Sequence, residues 1–475
     1  MKRVVFVAIA VLAAAVAWSG SSVKAEQAAA APAAPTFNKD IAPIFFANCT
    51  TCHRPGEIAP MSLMSYAESR PWAKAIASKV ADGTMPPWHA DPQYGTFVGA
   101  RRLTDAQKAL IAKWVAAGAP EGTAADLPAA PTYTDGWNIT PDVVLSMQED
   151  YPIPATGEVP YQYLEVPANF AEDRYISDWE FRPGDPRAVH HMLLYLKAPK
   201  DVAEAQMKRQ QGMMLQRMFG PKPAAGTPRQ VPPFEFACCV EIPMGQSGGR
   251  PLPPEQQKDL GPNYRPRPIG MAQGMGGFSP GGSIRHFPEG TGMRIPAGYS
   301  LVFQMHYTSY GKATTDRSKI GLKFTKTAPK TILNTLALIN ASLSIPPGAA
   351  DYTIDNTMTF NRETVIYSLI PHTHVRGTGW HYEAIYPDGR KEVILNVPKY
   401  DFNWQHEYIF TQPLRMPAGS KLYAKAWYDN STRNKSNPDA TKTVTWGDQT
   451  WEEMMYTSIT FFMPPAPAPT AAQQQ

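Results

Sequence analysis

Apolar positions follow three regimes along the chain. Val4 to Ala17 is an unbroken apolar run behind Lys2 and Arg3, too short to favour a membrane span. Val23-Lys24-Ala25 then places small residues at −3 and −1 of a cut after Ala25, so residues 1–25 read as a secretory signal and the mature chain as periplasmic or secreted. An uncleaved anchor is the other reading of the same run. From Phe37 to about Ala125 the period is helical: in Leu103–Gly118, Thr104 stands at a cap, Leu110, Ile111 and Trp114 share a face, and Gly118 is the stop. Beyond Trp137 the pattern shifts to short runs such as Leu301–Tyr307 and Thr364–Ile370, rich in β-branched and aromatic residues. Turns such as Pro296-Ala-Gly298, Pro387-Asp-Gly389 and Pro417-Ala-Gly419 bound these runs, which predicts antiparallel β-sandwiches.

Composition fits this division. The chain has 475 residues, too many for one ordinary domain, and its 48 prolines are spread widely, which disfavours a mainly helical protein. The expected order is a signal over 1–25, an Ala/Pro linker over 26–36 and a small all-α domain over 37–125. A linker over 126–137, an all-β domain over 138–328, a second over 329–463 and a tail over 464–475 complete it. The two β-domains should divide near Thr327–Thr331. The formal charge of +4 falls to +1 without Lys2, Arg3 and Lys24, so no nucleic-acid partner is implied. No stretch after the signal reads as a transmembrane helix, so no stable span is expected in the mature protein.

Candidate chemistry begins in the helical domain. Cys49-Thr-Thr-Cys52-His53 offers two thiols for thioether links to one covalent haem c and an imidazole for its iron. No second C-x-x-C pair completes a zinc site, and no βαβ pattern surrounds the motif as a thioredoxin-like pair would require. Gly83-Thr-Met85-Pro-Pro-Trp88 resembles the Met-Pro loop of class I cytochromes c, which marks Met85 as the sixth ligand. Met61, Met64 and His89 compete with it, His89 in a surface turn. A His/Met haem carries electrons and leaves no position open for oxygen.

The β-region holds histidines at ligand spacings. His190 and His191 are adjacent, His306 lies within a strand pattern, and His372 and His374 at i, i+2 leave one face of a strand. For the adjacent pair to share an ion, a bulge, a loop or the use of two different ring nitrogens is required. Singly, each residue reads better as a satisfied core histidine; the whole set points to metal.

Val189-His-His-Met-Leu-Leu, Gln304-Met-His-Tyr, His372-Thr-His374 and Glu453-Met454, in that order, resemble the copper type II ascorbate-dependent monooxygenases over residues 138–463. The resemblance implies two jelly-roll-like domains with one copper each. His190, His191 and His306 would hold an electron-transfer copper. His372, His374 and Met454 would hold an oxygen-binding copper, where O2 reacts with a substrate C–H and one oxygen atom enters the product. Imidazole with thioether favours copper over zinc independently. Met455 competes with Met454, since only one of the two can face the site from a strand.

The chain departs from that family in three respects. Ile370, Tyr456 and Ser458 stand where the peptide-acting members build a carboxylate clamp, so a C-terminal glycine peptide is not the expected substrate. Arg376 lies close enough to compensate, though its position reads as a surface salt bridge. Residues 200–285, rich in Pro, Gly and Met with Met213, Met214 and Met218 near helical spacing, read as an inserted lid or domain contact. Cys238 and Cys239 form a vicinal disulfide or a pair of copper-capturing thiols, the disulfide being preferred. His286, His381 and His406 match no ligand motif and read as packing or surface residues.

Together these features give a periplasmic copper monooxygenase acting on O2 and a small organic substrate, with electrons passing from a periplasmic donor through the haem. The alternatives are an electron-transfer or copper-binding protein without hydroxylase activity, or the same centres with electron flow reversed.

Overall fold

The computed structural model describes residues 34–133, 136–219, 258, 260–268, 270–280, 282 and 284–464, with the backbone alone over 210–219 and at 272. The signal over 1–25, Cys238 and Cys239, the side chains of Met213, Met214 and Met218, and nearly all of the tail lie outside the described residues. A small N-terminal helical region is followed by mostly β-sheet, sandwich-like domains. No helix among the described residues is long and apolar enough to cross a membrane.

The helical region closes around Phe37, Phe45, Ile111 and Trp114, all fully buried. Its last helix, Asp105–Ala116, starts on a capping box in which Thr104 and Gln107 satisfy each other's backbone N–H. It stops at Gly118, whose φ of 88° suits glycine.

The β-region is organised by one nine-stranded sheet. Val143–Ser146, Lys319–Phe324, Arg174–Arg182 and Thr291–Ile295 lead into Thr331–Ile339, and Tyr456–Phe462, Thr364–His372 and Tyr408–Met416 follow. Ile284–His286 attaches beside Arg174–Arg182. Thr331–Ile339 is the joint: it runs parallel to Thr291–Ile295 on one side and antiparallel to Tyr456–Phe462 on the other. The chain therefore passes between β-domains near Thr331 without the sheet breaking there.

Each half is covered by a four-stranded sheet. Gln162–Val166, Ser300–Tyr307, Val189–Lys197 and Met271–Phe278 pair in that order in the first half. Tyr352–Thr359, Lys421–Tyr428, Gly377–Ile385 and Lys391–Val397 do so in the second. Separate apolar cores fill the two sandwiches.

One expectation is corrected. Part of the expected insertion is not a lid, because Met271–Phe278 pairs along Val189–Lys197 as a strand of the first sandwich. The helical region also reaches into the second β-domain. Ala90 and Phe97 belong to the core of the second β-domain, with Trp88 packed against it. Val98 N–H donates to the Ile409 carbonyl and Thr411 N–H to the Thr96 carbonyl, both strand-like contacts.

Candidate metal centre

His190 and His191 enter on Val189–Lys197, paired with Ser300–Tyr307. The register slips at that point: Val189 faces Tyr307, and the next paired residue, His191, faces His306. This is a bulge at His190, which turns two adjacent side chains toward one side. The three imidazoles then converge through the same atom. His190 and His191 Nδ1 lie 3.1 Å apart, His306 and His190 Nδ1 3.2 Å, and His306 and His191 Nδ1 3.4 Å.

That triangle has a direct chemical reading. Each Nδ1 is either a donor or an acceptor, so among three mutual contacts at least one sets like against like, whatever tautomers are chosen. A central cation removes the conflict by taking all three lone pairs. The spacing fits one: metal–nitrogen bonds of about 2.0 Å give nitrogen–nitrogen edges of roughly 3.3–3.5 Å in trigonal or tetrahedral sites. Among the described residues these three form a group able to hold a metal ion.

Burial sets the protonation. It pushes the His190 imidazole down to about 4. For His191 and His306 burial comes first and the surrounding histidines add to it, so both are held well below the ordinary range. All three are neutral near pH 7, the form that binds metal.

His372 ends Thr364–His372 and His374 follows it, their ring centroids 5.2 Å apart. Here each Nδ1 has a partner elsewhere. His372 Nδ1–H donates to Gln405 Oε1 at 2.6 Å and His374 Nδ1–H to the Glu452 carbonyl at 3.0 Å. These bonds hold the proton on Nδ1, so Nε2 is the atom each ring can offer a metal; the Gln449 backbone also meets the His374 ring. Burial pushes His372 down to about 4, and burial with the neighbouring His372 pushes His374 to about 3.

Met454 is drawn to His374 through a carboxylate. Glu453 Oε2 accepts the backbone N–H of His374 at 2.7 Å and of Met454 at 3.2 Å, while Oε1 accepts that of Arg376 at 2.7 Å. Burial raises the Glu453 carboxyl to about 7. Met455 is fully buried in the apolar core of the second β-domain, whereas Met454 stands outside that cluster.

Arg376 corrects another expectation. It is 2% exposed, not at the surface, and its Nε donates to Asn430 Oδ1 and its Nη1 to the Trp451 carbonyl. It is committed to holding the loop after His374 and cannot stand in for the missing clamp at Ile370.

The two histidine sets share aromatic neighbours. Tyr161 stacks on His306 at 4.8 Å and lies 5.5 Å from His191 and 6.0 Å from His374. Phe402 stacks on His190 at 5.5 Å and lies 6.1 Å from His374. His191 and His372 are themselves 6.4 Å apart. Tyr161, Phe402, Gln405 and the bridging role of Glu453 had no signal in the motifs.

Part of the chain is similar to a family of copper proteins. Residues 330–473 match the C-terminal domain of the copper type II ascorbate-dependent monooxygenases. The matched segment contains His372, His374 and Met454 and covers one part of the chain. No curated protein matches the chain. Among solved structures, PBCV-1 VP54 fitted into a reconstruction of the virophage Sputnik is similar at TM-score 0.22. Identity there is 8%, over 70% of this chain and 96% of that one. Infectious bursal disease virus Gx strain is similar at TM-score 0.17 and 8% identity, over 70% and 75%. Likenesses this slight carry no argument.

In the helical region Cys49 and Cys52 are both unbridged and half-buried. Burial and the adjacent Cys52 push the Cys49 thiol up to about 12. His53 Nδ1–H donates to the Met61 carbonyl at 3.1 Å, which leaves its Nε2 lone pair free. Met85 N–H donates to the Lys79 carbonyl. Met61 packs against the helical core and Met64 is half-buried. His89 is half-buried beside the His406 ring, 6.2 Å away, rather than in an exposed turn. His406 is buried, His381 is half-buried against Asn396 and Glu383, and exposed His286 meets Asp178.

Proposed function

We propose that this chain is a periplasmic copper-dependent monooxygenase whose Cys49–His53 module carries a covalent haem as its electron inlet. The observation that carries the copper reading is the triangle of Nδ1 atoms on His190, His191 and His306, beside a domain matching the copper monooxygenases. The haem reading rests on the C-x-x-C-H spacing and the free Nε2 of His53.

Copper at these histidines supplies one-electron chemistry and oxygen activation. A haem at Cys49 and Cys52 supplies electrons singly. The overall change is insertion of one oxygen atom of O2 into a C–H bond of a small organic substrate. The other atom leaves as water, and two electrons and two protons are consumed.

The chain's own groups set the stage. His190, His191 and His306 bind through Nδ1. His372 and His374 present Nε2 because Gln405 and the Glu452 carbonyl hold their Nδ1 protons. Glu453 keeps Met454 beside His374, and Tyr161 and Phe402 exclude water between the two sets.

Copper-loaded, reduced protein mixed with 18O2 and a panel of small organic compounds tests this. One labelled oxygen atom per product, with loss of the haem's reduced absorption during turnover, is the expected result. Stable copper without substrate-dependent oxygen uptake would favour an electron-transfer or copper-binding protein. Product formed while the haem stays reduced would remove the haem relay alone.

A further inference from the structure

Residues 399–407, between the strands Lys391–Val397 and Tyr408–Met416, reach three parts of the molecule at once. At one end Phe402 packs on His190, and lies 5.4 Å from His306 and 6.2 Å from His191. The Asn403 side chain sits against His190. In the middle, Gln405 Oε1 holds the His372 Nδ1 proton, and its own amide donates to the Phe402 carbonyl at 3.2 Å. At the other end, buried His406 donates Nε2–H to the Pro87 carbonyl at 2.9 Å, and its ring lies 5.6 Å from Trp88.

Pro87 and Trp88 belong to the N-terminal module, just past Met85. The same stretch of that module is pinned on both flanks of the segment. Asp91 N–H donates to the Asn396 carbonyl at 2.7 Å, and the Asn396 side chain returns a bond to Asp91 at 3.3 Å. Phe97 bridges to Phe410. Residues 399–407 have no strand ladder of their own, so side-chain and loop contacts hold their shape: these, the Tyr400 hydroxyl on Thr373, and Glu407 on Arg285 and Ser368. Gln405 and His406 are neighbours in the chain: a displacement of His406 moves the residue that orients His372.

We propose that residues 399–407 form a strap through which seating of the N-terminal module sets the geometry of the histidine cluster, with His406 and Gln405 as positioning residues. This rests on the reading of His372 as a copper ligand. A network of contacts becomes coupling only when a change at one end is read at the other.

The test uses the full chain loaded with Cu(II) alone, read by electron paramagnetic resonance and by amide exchange over 88–98. His406→Ala is expected to raise exchange over 88–98 at least about tenfold and to shift the copper signal assigned to the His372 set. Affinity there should fall about tenfold, the low end for losing a supporting partner. His406→Gln, whose amide can also donate to the Pro87 carbonyl, should restore both readouts. Trp88→Leu perturbs the contact from the module side, at no proposed copper ligand, and should move the same copper signal even where His406→Ala fails to fold. An unchanged copper signal in Trp88→Leu, with exchange over 88–98 clearly raised, overturns the proposal. Absence of any copper signal in the wild type would instead overturn the copper reading on which it rests.

Discussion

The two histidine sets lie within ring contact of each other, yet they are built on opposite plans. His190, His191 and His306 point the same nitrogen at one another, so their geometry is closed by the ligands themselves. His372 and His374 have that nitrogen tied to Gln405 and the Glu452 carbonyl, so their geometry is imposed from outside. A site closed by its own ligands needs an ion to be stable. One held by its surroundings keeps its shape without an ion and can leave a position open for a reactant. Under the proposed function, this is the difference between an electron-transfer centre and a reaction centre.

Substitutions can break or sharpen that contrast. His306→Ala removes one corner of the self-closed triangle and should weaken copper there by more than about 100-fold, beyond what loss of a supporting partner costs. Competition with a chelator would measure it, and an equal loss at both sets would erase the distinction. Gln405→Leu leaves every ligand in place but frees the His372 tautomer. Copper at that set should weaken about 10- to 100-fold while the triangle is unaffected.

Glu453→Gln tests whether the outer frame exists before metal arrives. The carboxylate accepts three backbone N–H groups, and an amide cannot accept all of them. Metal-free protein should lose about 1–3 kcal/mol of stability in urea unfolding. A wild-type value would mean that the frame forms only with copper.

The smallest effect concerns acid. Burial alone would push the Asp185 carboxyl up, but hydrogen bonds from Arg187, Tyr310 and Thr314 outweigh it and hold it at about 2. Its contribution is complete above the unfolded value of about 4 and disappears as pH falls through about 2. Because Asp185 anchors the turn leading to His190, metal-free Asp185→Asn should show a flatter melting profile between about pH 4 and 2 than the wild type. Parallel profiles would remove Asp185 from the account.

Much of this was legible in the sequence, because the signals are local. The histidine spacings, the strand runs and the Thr104–Gly118 helix each depend on residues within a few positions. The remainder is set by partners far along the chain. The bulge that aligns His190 with His191 is a mismatch against a strand more than a hundred residues later. Arg376 looks like a surface cation until Glu453 and Trp451 fold over it.

Met271–Phe278 read as part of a lid because glycine weakens a strand pattern. Two of its glycines answer crowding instead: Gly276 has φ +110° and a Cβ there would collide with the Arg285 guanidinium, and one at Gly277 would meet Leu193. Gln405 and Phe402 belong to no motif, and only the fold brings them to the histidines.

The central claim is that two separate histidine sets each hold one copper. Cu(I) titration of metal-free full-length protein, counted per chain and repeated with His306→Ala and His372→Ala, tests it most directly. The account predicts two equivalents in the wild type and one tight equivalent in each variant, lost from a different set in each. A single equivalent in the wild type, or one abolished by both substitutions alike, would contradict it.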